Sequence, residues 1–284
     1  MSLKIVSLGS GIALQDAGRA GWLRYGVPRG GAMDRHAMRA ANKLLGNRPD
    51  APVLEVSLQG ARLKLVEDTW LALAGADFCP ALPAWTAREF GAGEVLEFSA
   101  KASGLLAYLA VPGGFVGDRW FGSVSADKRN GLGLALQKGK QLVPTKKRPN
   151  ASTEGIVRRI LPKEARRSYP SGQTFKLLPG PQFESFSEKA RQTLVTAKWL
   201  VSALSDRTGY RLEGPELDLP ACIRSEPVLP GSFQIPGGGL PIITMVDGPT
   251  VGGYPKIAVL PDADRDRLAQ CAPGTQLSFQ WAKS

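Results

Sequence analysis

Between Gly26 and Asn47 the chain reads GVPRGGAMDRHAMRAANKLLGN, a glycine–proline loop running straight into a helical pattern. Gly26, Pro28, Gly30 and Gly31 crowd the loop, Asp34 opens the run, and Gly46 stops it. Two explanations fit. Glycines allow a tight reversal and Asp34 caps the helix, which is mechanical. Glycines also let backbone N–H groups approach a ligand, and a helix N-terminus attracts carboxylate or phosphate, which is chemical. The residues leave both open, the mechanical one being simpler.

Further polar–glycine motifs follow the same style. LQDAGR offers Gln15, Asp16 and Arg19, though an Asp16–Arg19 ion pair pinning a loop would use the same side chains. Asn42 and Asn47 flank the helix stop, and Asn47 suits turn chemistry. SDRTGYRLEGP gathers Asp206, Arg207, Tyr210, Arg211 and Glu213, as a salt-bridge network or as a carboxylate site to which arginine is suited. Gln234 precedes the glycines of GSFQIPGGGLPI, and VDGPTVGGYPK supplies Asp247, Thr250, Tyr254 and Lys256 around Gly252 and Gly253. Together these motifs favour a site for a polar small molecule. Glu55 lies between apolar neighbours in VLEVSL, where alternation predicts that it faces solvent.

Other chemistries are set aside by residue type. His36 is the single histidine, so two-histidine zinc motifs are impossible and no metal site is expected. Set among Arg35 and Arg39, it reads as an exposed or salt-bridged surface residue rather than a triad base. No phosphate loop or dinucleotide fingerprint is present, since GLALQKGKQ has the wrong spacing and no hydroxyl after Lys140. Cys79, Cys222 and Cys271 form no paired motif, which with the absence of a membrane span or signal peptide predicts a cytoplasmic protein.

The net charge of +11 is local. Lys138 to Arg167 holds ten basic residues against Glu154 and Glu164, eight of the eleven net charges. That run has no interleaved aromatics, so a basic connector is preferred to a nucleic-acid surface, and neither nucleic acid nor membrane is an expected partner.

The elements that must position these residues are mainly strands. VLEVSL, ARLKLV, TWLALAGA, EVLEFSA and GLLAYLAVPG in the first half, and TFKLLPG, LPIITMVD, KIAVL and TQLSFQWA in the second, are short and separated by turn signals. Helices are expected at Asp34–Leu45, Phe183–Ala197 and Asp262–Gln270. The expectation is a mainly β protein: a lobe over residues 1–145, the basic connector over 146–172, and a second lobe over 173–284. The turn-rich segments Gln15–Pro28 and Ser205–Pro215 echo one another faintly, which fits either a duplication or two unrelated turns.

The ordered set QDAGRAGWLRYGVPRGGAMDRHAMRAANKLLGN, VLEVSLQGARL, AVPGGF, GSVSADKRNGLG, LPGPQ, SDRTGYRLEGP, SEPVLPGSFQIPGGGLPI and VGGYPKIAVLPDAD resembles the family of the 5-oxoprolinase C subunit, KipA and allophanate hydrolase subunit 2. The last also forms the latter half of the carboxyltransferase domain of urea carboxylase. The resemblance implies two cyclophilin-like β-barrel lobes with a few short helices. It implies a subunit of an ATP-dependent 5-oxoprolinase, working with KipI-like B and A subunits on a small amide substrate and inactive alone. ATP would activate the lactam oxygen and water would open the ring. Arg207, Arg211, Lys256 and Gln234 would meet the developing charge, and Asp16 or Asp247 would orient water. Gln15, Arg19, Gly30, Gly31, Asp34, Asn42, Tyr210, Thr250 and Tyr254 complete the expected substrate-binding set. The alternatives are a biotin-dependent carboxyltransferase component, the only reading that needs biotin, and a non-enzymatic KipA-like regulator. The chain departs from the family pattern at Lys140, where an acid is usual, and at DGPT, Asp247–Thr250, where an arginine usually follows the aspartate.

Overall fold

The computed structural model describes residues 2–57, 60–99, 104–149 and 157–282. Position 58 of VLEVSL, position 100 of EVLEFSA and a stretch of the connector, 150–156, lie outside them. Two compact units emerge: Met1–Arg19 with Gly30–Tyr169, and Ala20–Arg29 with Pro170–Ser284. The opening motif is thus divided, its segment from Ala20 to Arg29 belonging with the C-terminal unit.

The first unit holds two antiparallel sheets. One runs in the order Val95–Glu97, Ala61–Leu65, Leu3–Leu8, Gln141–Leu142. The other runs Arg158–Ile160, Thr86–Phe90, Thr69–Gly75, Leu106–Ala110, Val53–Ser57, Ile12–Gln15. Ala61–Leu65 alternates buried and exposed side chains, as a strand with one wet face should. Thr69–Gly75 is buried throughout, because helix α1 (Arg35–Leu44) lies on it and on Leu106–Ala110. Leu3, Ile5, Leu63, Leu65, Leu71, Leu73, Phe90, Phe98 and Leu109 form the core beneath. Some of the basic stretch is built into this unit. Arg158–Ile160 pairs with Thr86–Phe90, and buried Tyr169 stacks on Trp85 at 6.4 Å.

The second unit is a closed barrel: Gln173–Pro179, Lys256–Val259, Ser232–Gln234, Ile242–Thr244, Gly209–Glu213, Trp199–Val201, Gln276–Trp281. The last strand closes it by pairing in parallel with the first. Phe175, Leu177, Phe233, Ile243, Leu277 and Phe279 fill it, with Phe233 meeting Phe279 edge-on at 5.1 Å. Helix α2 (Glu188–Thr196) is capped by Ser187, and helix α3 (Asp262–Leu268) follows Pro261. The molecule is therefore mainly β with three short α-helices among the described residues.

Candidate functional site

Asp16 follows the edge strand Ile12–Gln15 and is buried. Its Oδ1 accepts from Ser123 Oγ at 2.5 Å, Ser125 Oγ at 2.7 Å and the Gly18 N–H at 2.8 Å, and its Oδ2 accepts from the Val124 N–H at 2.9 Å. Asp16 and Arg19 both turn to Ser125, whose carbonyl accepts from the fully buried Arg19 guanidinium. Gln15 is also buried and donates to the Ala126 carbonyl at 3.1 Å. One carboxylate therefore ties the first loop of the chain to residues 123–125.

The Gly30–Asp34 loop packs against that same segment. The Ala32 N–H donates to the Asp16 carbonyl at 2.9 Å. Gly31 has φ +90°, and a Cβ there would stand 2.9 Å from the Gly18 nitrogen. Both features demand glycine at this position. Three residues on, Asp34 caps helix α1 through the Ala37 N–H at 3.0 Å, and its other oxygen accepts from Tyr169 at 2.7 Å.

Glu55 is buried, not solvent-facing, because the loop at Met33 and the Tyr108 phenol cover the face that alternation assigns to water. The register places it opposite Tyr108, whose hydroxyl donates to Glu55 Oε2 at 2.8 Å and accepts from the Asp34 N–H at 2.7 Å. The Met33 N–H donates to the same carboxylate oxygen at 3.0 Å. Burial, with Glu55 and Asp34 beside it, pushes the Tyr108 phenol well above its ordinary pKa. His36 is half-buried: its Nε2 donates to the Ala165 carbonyl at 3.0 Å and its ring lies 5.9 Å from Trp85.

Asn42 and Asn47 form a clasp. Asn42 donates to the Ala51 carbonyl at 2.9 Å and accepts from Asn47, which also donates to the Val111 carbonyl and accepts from the Gly113 N–H. Beside the clasp and the Asp16 cage lies an open cleft of about 460 Å³, lined by residues 16–18, Arg48, Asp50–Pro52, Gly113, Arg119, Gly122 and Lys146. Arg48 hydrogen-bonds Asp50 through two nitrogens at 3.1 Å, which holds the Asp50 carboxyl below the usual carboxylate range.

In the barrel unit, Arg207 grips buried Asp247 with two hydrogen bonds of 2.7 and 3.2 Å. No arginine follows Asp247 in sequence, yet one reaches it from forty positions away. Lys256 is buried with its Nζ 2.5 Å from Glu226 Oε1, an oxygen that also accepts from Gln182 at 2.9 Å. Lys256 first, then Gln182, hold the Glu226 carboxyl below its ordinary pKa. Gln234 is paired in register with Lys256, buried, and donates to Thr244 Oγ1 at 2.7 Å. Close to them the Thr250 carbonyl accepts from the Val228 N–H at 2.9 Å, and Gly252 pairs with Glu226. Tyr210 is buried and donates to the Ala269 carbonyl at 3.2 Å, while Arg211 and Tyr254 are exposed.

The expected residues thus gather in two groups, each within one unit. Gln15, Asp16, Arg19, Gly30, Gly31 and Asp34 interlock in the first. Gln234 and Lys256 meet in the second, where Arg207 and Asp247 form their own pair and Tyr210 turns to the helix end. Ser123, Ser125, Tyr108, Tyr169, Gln182 and Glu226 belong to these groups without standing out in the motifs. The serines lie inside GSVSADKRNGLG, Gln182 ends LPGPQ and Glu226 lies in SEPVLPGSF, so these four carry a motif signal and the two tyrosines do not. Among the described residues no cluster of His, Cys, Asp and Glu is arranged to hold a metal ion.

Comparison with known proteins agrees across sequence and structure. A family model described as carboxyltransferase domain, subdomain A and B, matches residues 25–281. The 5-oxoprolinase C subunit of Haemophilus influenzae is 34% identical over 98% of this chain and 90% of its own length. The crystal structure of TTHA0988 superposes with a TM-score of 0.88 at 31% identity, over 98% of this chain and 55% of that one. The crystal structure of Kluyveromyces lactis urea carboxylase gives 0.88 at 25% identity, over 99% of this chain and 27% of that one. This chain therefore spans little more than half of the first of these crystallised proteins and about a quarter of the second.

Proposed function

The chain belongs to the carboxyltransferase-domain family, and we propose that it is a subunit of a 5-oxoprolinase, opening the lactam of 5-oxoproline to glutamate at the expense of ATP. What carries this reading is the near end-to-end match, in both directions, to a 5-oxoprolinase C subunit. Urea carboxylase shares the fold at lower identity, so a biotin-dependent carboxyl transfer is the second reading.

In the reaction, the amide oxygen attacks the γ-phosphorus of ATP and ADP leaves. Water adds to the activated carbon and the ring C–N bond breaks with a proton passing to nitrogen, leaving an acyl phosphate; a second water then attacks its carbonyl carbon, phosphate departs and the carboxylate of glutamate is formed. The barrier falls where cations and fixed donors meet the charge growing on oxygen. Lys256, desolvated and positioned by Glu226, suits that role, with Gln234 beside it in register. Arg207 is engaged by Asp247, so this pair acts as a unit that fixes the turn before Gly209–Glu213. The Asp16 carboxylate is heavily hydrogen-bonded, which gives it the role of positioning the loop at Gly31. The KipI-like B and the A subunits complete the enzyme and bring ATP.

The test is reconstitution of this chain with its companion subunits, followed by ATP hydrolysis measured with and without 5-oxoproline. Hydrolysis stimulated by 5-oxoproline, and silent when this chain is left out, is the expected result. Turnover that requires carboxybiotin, or strong turnover by this chain alone, would overturn it.

A further inference from the structure

LPGPQ, Leu178 to Gln182, carries the chain off the end of the first barrel strand, and the reaction above gives it no task. That strand pairs with Lys256–Val259, the register setting Leu178 against Val259 and Pro179 against Ala258. Lys256 lies beyond the last of these pairs, and the turn serves it instead. The Gly180 N–H donates to the Ile257 carbonyl at 3.0 Å, and the Gln182 N–H donates to the Lys256 carbonyl at 3.2 Å. A Cβ at Gly180 would run into the Lys256 carbonyl oxygen, so only glycine lets the turn come this close. The Lys256 N–H finds its acceptor in the Gln182 side chain, 3.0 Å away at Oε1. Phe183, next in the chain, meets Trp281 edge-on at 5.0 Å and anchors the turn to the last barrel strand.

Because the amide is planar, the first contact directs the second. With Oε1 on the Lys256 N–H, Nε2 donates to Glu226 Oε1 at 2.9 Å, the same oxygen that lies 2.5 Å from Lys256 Nζ. Turning the amide over would set N–H against N–H and carbonyl against carboxylate, so one orientation is fixed. Glu226 needs such a hold. Its side chain is 37% exposed, and an ion pair open to water contributes little by itself. Gln182 therefore grips Lys256 at both ends, the main chain directly and the ammonium by way of Glu226. We infer that Gln182 is a positioning residue of the 5-oxoprolinase reaction, aiming the Lys256 ammonium through Glu226. The catalytic part of this rests on the role given to Lys256 above; the grip itself does not.

Gln182→Glu separates aiming from bracing, since its carboxylate still accepts from the Lys256 N–H but has no N–H to offer Glu226. It is compared with Gln182→Ala in two measurements. On the full chain alone, a proton–nitrogen spectrum of the lysine ammonium groups should hold a Lys256 signal, slowed in exchange by burial and pairing and assigned by its loss in Lys256→Arg. That signal should move or broaden in both variants, while Gln182→Glu melts close to the parent. In the complex reconstituted with the companion subunits, ATP hydrolysis dependent on 5-oxoproline should show kcat lowered about tenfold, the worth of a charged hydrogen bond, with KM held within about twofold. Three results would overturn the inference and leave Gln182 a brace: no Lys256 signal in the parent, a signal unmoved in whichever variant keeps its melting temperature, or the parent's kcat in Gln182→Glu. A parent complex silent towards 5-oxoproline sinks the functional reading instead, and the spectrum of the single chain still decides whether Gln182 sets the ammonium.

Discussion

At the scale of single residues, the buried polar groups set the most demanding terms. Tyr108 bridges Glu55 and the Asp34 N–H in the buried interior. Removing its hydroxyl with Tyr108→Phe leaves that N–H without its phenol acceptor, at a cost of about 1–3 kcal/mol. The same phenol has a signature in pH. Its folded pKa lies above the ordinary 10.0, so the folded state keeps a proton that the unfolded chain has lost. Stability is therefore intact below about pH 10 and declines as pH rises above it toward the folded pKa. Denaturant titrations from about pH 8 to about pH 11.5 should show a smaller alkaline loss in Tyr108→Phe than in the parent. Equal losses would mean that other groups carry the alkaline limb. Cysteines offer a second reading at this scale. Burial pushes the thiols of Cys79 and Cys271 up to about 11 and about 12, while Cys222 is exposed. A thiol reagent at about pH 8 should modify one cysteine in the native protein and all three after unfolding. Fast native labelling of Cys79 or Cys271 would show that the unit holding it opens readily.

At the scale of elements, the Gly30–Asp34 loop and helix α1 answer the question posed by their sequence. Gly31 sits where backbone passes within contact distance of Gly18, in a conformation that side chains avoid. Gly31→Ala should cost about 2 kcal/mol or more, seen as a fall of several degrees in melting temperature. An unchanged melting temperature would return the loop to ligand binding alone. The strands whose alternation is plain, such as Ala61–Leu65 and Gln276–Trp281, were legible from residue pattern because one face meets water. Glu55 was not, since the alternation rule assumes a wet face and here the loop at Met33 and the Tyr108 phenol cover it. Leu3–Leu8, Ile12–Gln15, Thr86–Phe90 and Gly209–Glu213 lie among charges and glycines that blur their period. The site was half legible. Motifs located Asp16, Arg207, Asp247 and Lys256, but their partners Ser123, Ser125 and Glu226 are supplied by folding across long stretches of chain. A backbone N–H, such as those of Gly18 and Val124, leaves no mark in a sequence at all.

At the scale of the molecule, the charge is concentrated where the chain passes toward its second unit. Like charges resist compaction, and the stretch 146–172 carries most of the basic excess. Brief trypsin treatment should therefore cut first between Lys146 and Gly172, as mass spectrometry of the first fragments would show. A first cut within AVPGGF or in the barrel strands would place the boundary elsewhere. Membership of the two units has a different consequence, one of timing. Ala20–Arg29 belongs with Pro170–Ser284, so on the ribosome this segment emerges about 140 residues ahead of the unit it joins. At about 5–20 residues per second, it waits about 7–30 s without its barrel. The exposed Trp22 and Tyr25 it carries are on view to chaperones and to other nascent chains for all of that interval, and a gene cut at the unit boundary would leave them stranded on the wrong polypeptide.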